Sequence, residues 1–358
     1  EVRINLPSNY VVMGTGNVME ESENQWMLEK SKENIQVDQV EGKTPKSSKT
    51  RKTITFKESN IHEFAWFADK RWALRIDTLE QPNHSGKVIA FSAYYPWHNL
   101  GWSTSLDAVK KTIEGYGSKV GIYPYNTVKV VEGFLEAGGG MEYPTVTVIQ
   151  ESNTPSTVER VIIHEVGHNW FYGILGSNER KHPWMDEGIN SFYEGKFATS
   201  IKLPFTGNTQ VENLAYYTLG AAYKLSPATL SSEEFHKVNY GIDVYMKVPL
   251  YLRYLEAYMG EASFDKAMQA YFQKWRFKHP QPKDFKQVFK ENAPTDIDWF
   301  FTMLQSDEMV SFTVSKPEVK GVETHIQVTN NCSFALPVAI NGVDKEGKVV
   351  NKWTEPFL

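Results

Sequence analysis

The stretch HEVGHNWFYGILGSNERKHPWMDEG, residues 164–188, restricts this chain more than any other part of its 358 residues. It sets two histidines four apart and a glutamate eighteen residues beyond the second. On a helix, side chains four apart lie on one face, one turn above the other. A helix over 158–175 therefore brings His164 and His168 together. Their imidazoles can converge on one metal ion at about 2.0–2.1 Å. Glu165, one position on, stands about 100° round the axis. That puts its carboxylate beside the ion, where it can take a proton from a bound water. The plain alternative is a chance pair of buried histidines.

Glu187 weighs against that alternative. The segment HPWMDEGINSFYEG places it at the head of a further helix able to pack on the first. A carboxylate as third ligand leaves a fourth tetrahedral position for water, as catalytic zinc requires. An acid in the first turn of a helix is also favoured by the helix dipole alone; with the two histidines present, the ligand reading is the stronger. Glu194, two turns on along the same face, either orients a histidine or is a surface carboxylate. Asp186 either does the same or caps the helix.

Around this stretch the hydrophobic period changes twice. RINLPSNYVVMG, KTITFKES, ALRIDTLE and KVIAFSAYYPW alternate apolar and polar residues, so the first hundred residues read as strands. Residues 41–53, polar and basic, read as a solvated hairpin loop. Leu106, Val109, Ile113 and Tyr116 then follow helical spacing, with Ser or Thr available as N-cap. NTVKVVEGFL and MEYPTVTVIQ read as strands. The histidine helix is expected to open at Ser156, with Glu159 in capping-box spacing. VPLYLRYLEAYMG, SFDKAMQAYFQKWRF, PKDFKQVFKENA and DIDWFFTML are helical in period; from about residue 309 the period returns to two, with Asn-Gly and Glu-Gly as turns.

Composition excludes several classes. A hydrophobic fraction of 41% with 23% charged residues describes a globular chain. A net charge of −5 and pI near 6.0 give no basic field for nucleic acid or an anionic membrane. No apolar run approaches the length of a membrane span. The single cysteine, Cys332, rules out an internal disulfide. The chain opens already strand-like, at EVRINLPSNYVVMG, and reads as a fragment.

HEVGH with Glu187, GGMEY at Gly139–Tyr143, WMDEG and VYMKVPLYLRYLEAYMG together resemble, in order and spacing, the alanyl-aminopeptidase and leukotriene-hydrolase family of gluzincin metallopeptidases. The resemblance runs from about 100 to 305. It implies an α+β multidomain chain: the end of an N-terminal β domain over 1–98, a thermolysin-like catalytic domain over 99–307, and the start of a β-sandwich over 308–358. It implies a zinc aminopeptidase acting on peptides with a free N-terminus, with one Zn2+ on His164, His168 and Glu187. Glu165 would be the general base and Tyr245 the oxyanion donor. Glu142 would recognise the α-amino group, and Gly139, Gly140 and Met141 would line the substrate. The family's habits imply a bacterial envelope or secreted location. Tyr143, Asn169 and the Val248-Pro249 pair depart from the family pattern, none of them at a ligand, the base or the oxyanion tyrosine; Tyr143 and Pro249 bear on side-chain preference. Competing readings are a non-catalytic interaction module on the same fold, an endopeptidase of the wider zincin group, and a hydrolase of small non-peptide substrates.

Overall fold

In a computed structural model, which describes residues 1–34, 44–81, 86–200, 209–343 and 346–358, the architecture is mixed α+β, as the sequence predicts. One compact unit comprises Glu1–Ser177, Tyr193–Gly207 and Phe272–Pro280. The other comprises Asn178–Phe192, Asn208–Tyr271 and Gln281–Leu358.

The first unit begins with β1 (Val2–Pro7), β2 (Val11–Gly14), β3 (Asn17–Val18), helix α1 (Glu21–Ser31), β4 (Arg51–Lys57) and β5 (Trp66–Asp69). RINLPSNYVVMG is therefore two strands, broken after Pro7, which cannot donate to a ladder. Antiparallel β1 and β4 match Ile4 to Ile54, and their apolar face packs with Leu6, Val12 and Phe56. Helix α1 breaks the all-strand reading. Its sequence, ESENQWMLEKS, has few apolar residues for a helical stripe to register, and of these Met27 is buried. Of the polar stretch 41–53, residues 41–43 lie outside the described residues, 44–50 form a loop, and 51–53 already belong to β4.

The site rests on a five-stranded sheet. Its strands are β6 (Ala73–Glu80), β7 (Lys87–Tyr94), β8 (Thr127–Gly133), β9 (Gly140–Met141) and β10 (Val146–Gln150), in the order β6-β7-β8-β10-β9. β7, β8 and β10 run parallel. Parallel strands covered on both faces are apolar almost throughout, as TVKVVEG and VTVIQ are. Short α2 (Asn99–Trp102), then α3 (Ser105–Lys119) and α4 (Pro155–Gly167), follow in chain order. Helices α3 and α4 pack on one another and on the parallel strands. MEYPTVTVIQ does not form one strand: Met141 belongs to β9, which runs antiparallel to β10 at the sheet edge.

In the second unit, α6 (Thr209–Tyr223), α7 (Lys237–Ile242), α8 (Val248–Met259), α10 (Pro282–Asn292) and α11 (Asp298–Leu304) are helical; α5 (Ile189–Ser200) and α9 (Glu261–Trp275) each run through a boundary between the units' segments. Pro282 opens α10 inside a capping box formed by Gln281 and Asp284. The final strands pair as three antiparallel ladders: β11 (Phe312–Val314) with β14 (Val328–Asn330), β12 (Glu318–Lys320) with β13 (Glu323–His325), and β15 (Ala339–Val343) with β16 (Val349–Trp353). Asn341-Gly342 lies inside β15 and is not a turn. The pairing of Val343 with Val349 places the reversal after it, at a stretch that includes Glu346-Gly347.

Lys129 of β8 is a charge in the wrong solvent. It is 2% exposed, and its Nζ donates to the Gly16 carbonyl at 2.6 Å. Desolvation pulls its pKa down to about 7, against a smaller upward pull from the Glu58 carboxylate. An unfolded chain keeps lysine near 10.4, so between these values the unfolded state binds more protons and stability rises with pH. Lys129→Met should therefore stabilise the protein. The gain should be largest at pH 7 and below and shrink toward pH 10, as read from chemical denaturation across that range. A gain independent of pH would contradict the buried charge.

Candidate metal centre

The N-cap of helix α4 lies two residues before the expected one, Ser156. Thr154 is its N-cap, without a side-chain cap bond, and Pro155 takes the first helical position. The expected capping box does not form, because the Glu159 carboxylate accepts the Thr104 hydroxyl. The helix also ends at Gly167, well short of 175. Asn169 helps to stop it: its Nδ2 donates to Val166 O at 2.9 Å, and its Oδ1 accepts Thr145 N–H at 3.0 Å. His168 is the C-cap and keeps helical angles, φ −63° and ψ −14°, with its N–H on His164 O at 3.3 Å. The four-residue spacing therefore still stacks the two imidazoles, whose Nε2 atoms lie 3.1 Å apart.

The other ring nitrogens determine what those atoms are. His164 Nδ1 meets Glu194 Oε2 at 3.0 Å, and His168 Nδ1 meets Phe171 O at 3.0 Å. A carbonyl can only accept, so His168 Nδ1 carries a proton. Burial alone would raise the Glu194 pKa, but the His164 hydrogen bond and the Arg160 guanidinium hold it below the usual range. Glu194 is therefore ionised and accepts a proton from His164 Nδ1. In the neutral rings, both Nε2 atoms then present lone pairs to each other. That arrangement is repulsive unless a cation lies between them, and it is the donor geometry zinc takes. Of the two readings of Glu194, the orienting one holds. Arg160, one turn before His164, adds a bond to Glu194 at 2.6 Å; its i, i+4 spacing to His164 was a usable signal that the sequence reading passed over.

Glu165 is 6% exposed and is packed against the edge strand. A Cβ built on Gly140 would stand 2.6 Å from its Oε1, so only glycine leaves room for this carboxylate. Gly138 and Gly139, with φ of +74° and +71°, make the bend that leads into β9. Gly139 O and Met141 face β10, which leaves the Gly140 N–H and C=O directed outward from the sheet.

Glu187 lies on a π-turn, Trp184–Gly188, and not in an ordinary first helical turn. Tyr245 lies on another, Asp243–Lys247. Such wide turns recur at functional sites. The two turns pack together where Gly188 has no side chain, since a Cβ there would come 2.6 Å from Val248 Cγ1. Burial, and then the Glu187 carboxylate its hydroxyl meets, hold the Tyr245 phenol far above its ordinary range, so it stays a donor. Beneath Tyr245, fully buried Asp243 and Lys247 form an ion pair at 3.6 Å, and Lys247 Nζ donates to Ser226 O and Ser306 O. Neither π-turn was legible in the sequence, because the extra residue breaks the 3.6 period.

One ligand atom from each of His164, His168 and Glu187 lies within 4.8 Å of the other two, and the same holds for Glu142, His168 and Asp186. Asp186 is 2% exposed.

A model of the peptidase family M1 domain matches residues 104–304, more than half of the chain, and the chain belongs to that family. It is 28% identical to leucine aminopeptidase 2 of Pyricularia oryzae, over 43% of this chain and 26% of that protein. Among solved structures it is similar to aminopeptidase A of Legionella pneumophila in complex with aspartic acid, with a TM-score of 0.73 and 13% identity over 98% of this chain and 40% of that one. It is also similar to a mutant M1 zinc metallopeptidase from Deinococcus radiodurans bound to a Tyr-Ser-Ala substrate, with a TM-score of 0.64 and 15% identity over 86% and 64%. At these identities the structural likeness concerns the fold. The chain spans about a quarter to a third of the length of the first curated relatives it matches.

If Glu194 fixes the His164 tautomer, Glu194→Gln should weaken zinc binding by about 10- to 100-fold, measured by competition with a chromogenic chelator. Unchanged affinity would show that His164 orients itself without this partner.

Proposed function

We propose that this chain carries the catalytic centre of a zinc aminopeptidase, which removes residues from the N-terminus of peptides. The observation that carries the reading is the pair of lone-pair nitrogens on His164 and His168, each held by a partner on its other ring nitrogen. Glu187 supplies the third donor. Two imidazoles and one carboxylate match the donor set of catalytic zinc with one position left for water. When bound, the ion supplies Lewis acidity to the scissile carbonyl and to the attacking water.

The remaining steps belong to the chain. A peptide laid along the outer edge of β9 is met by the outward Gly140 N–H and C=O and pairs as an added strand. Glu142, which comes within 4.8 Å of a His168 nitrogen, binds the substrate's free α-amino group. Its position close to the histidine pair limits cutting to the first peptide bond. Glu165 takes a proton from the attacking water and returns it to the leaving amine. Tyr245 donates a hydrogen bond to the oxygen on which negative charge develops.

Two experiments test this. Glu165→Gln should lose about 10²–10⁴-fold in kcat while retaining zinc; comparable turnover would remove the base assignment. An aminoacyl-amide with a free amine should be cleaved and its N-acetylated form left intact. Equal cleavage of both would make the chain an endopeptidase.

A further inference from the structure

Directly after Phe171, whose carbonyl accepts the His168 Nδ1 proton, Tyr172 holds φ at +115°. A bulky side chain rarely enters that region of backbone space. The angle is coupled to the histidine, because φ at Tyr172 sets the plane of the Phe171 peptide relative to the Tyr172 side chain. Relaxation to negative φ with the ring in place swings the Phe171 carbonyl away from His168.

Strain of this kind persists only where the surroundings over-determine it, and here they do. The Tyr172 hydroxyl donates to the Glu63 carboxylate. His62 Nε2 donates to Tyr172 O at 3.0 Å, and the His62 ring stands edge-on to the tyrosine ring, 4.6 Å between centroids and 88° between planes. Tyr172 N–H donates to Leu175 O at 3.3 Å. On the other side of the turn, Gly173 N–H holds His168 O at 2.9 Å, and a Cβ on Gly173 would come 2.8 Å from Asn169 O, so only glycine fits this close approach.

We propose that Glu63 and His62, more than a hundred residues away in sequence, are positioning residues for His168. They clamp Tyr172 in its strained backbone, and the strained backbone aims the Phe171 carbonyl that fixes the His168 tautomer. This rests on the reading that His168 holds the metal. Neither Glu63 nor His62 needs to touch substrate or ion.

Glycine adopts positive φ without cost, and this gives a test that separates the clamp from a general structural role. Zinc affinity of the full chain is measured by chelator competition in the parent and in Glu63→Ala, Tyr172→Gly and the double variant. Tyr172→Phe, which removes only the hydroxyl, serves as a milder second probe. Glu63→Ala and Tyr172→Phe should each weaken zinc binding about tenfold. Tyr172→Gly should bind as the parent does, and adding Glu63→Ala to it should change nothing. Equal loss from Glu63→Ala in both backgrounds, or no loss in either, overturns the clamp while leaving the metal reading intact. Failure of the parent to bind zinc overturns both.

Discussion

Two imidazole nitrogens facing each other at 3.1 Å, each with its lone pair turned inward, are the constraint on which the rest depends. Left alone they repel, and the protein invests hydrogen bonds on the far side of each ring to keep them so. Glu194 and Arg160 hold His164; a backbone carbonyl in a strained turn holds His168. A pair arranged only for packing would have at least one ring free to turn a protonated nitrogen toward the other. The outer bonds keep both neutral rings with the lone pair inward, an arrangement that a cation between them relieves.

The neighbouring features follow from the same geometry. Glu165 is adjacent in sequence to His164 and so stays beside the histidine pair. Gly140 makes room for it, and the glycine that makes room also leaves a strand edge a peptide can pair with. The acid that follows on that strand, Glu142, comes close to His168. Tyr245 and Glu187 are held together by two wide turns packed through Gly188, with the Asp243–Lys247 ion pair buried below. Each element thus places a polar group where an apolar one would fold more easily.

How much of this could be read in advance depended on the range of the interaction. His164, His168 and Glu165 were legible because helical spacing alone relates them. The early end of their helix did not matter, since His168 keeps helical angles as the C-cap. The cap at Ser156 was misread because Glu159 is claimed by Thr104, more than fifty residues away, which no local pattern reports. Helix α1 was missed because its apolar stripe is thin, and Asn341-Gly342 was taken for a turn although it lies within a strand. The Phe171 carbonyl and the glutamate that steadies its turn leave no trace in residue type, because one is backbone and the other acts through a tyrosine. Met141, Glu142 and Tyr245 were chosen by resemblance, and neither composition nor period would have selected them.

The most direct measurement is X-ray absorption at the zinc edge of the purified chain loaded with one equivalent of metal. The account predicts two imidazole ligands at about 2.0–2.1 Å and two oxygen ligands, one from a carboxylate and one from water, at about 2.0–2.2 Å. A shell without imidazole scattering, or one closed by four protein ligands with no oxygen from water, would contradict it.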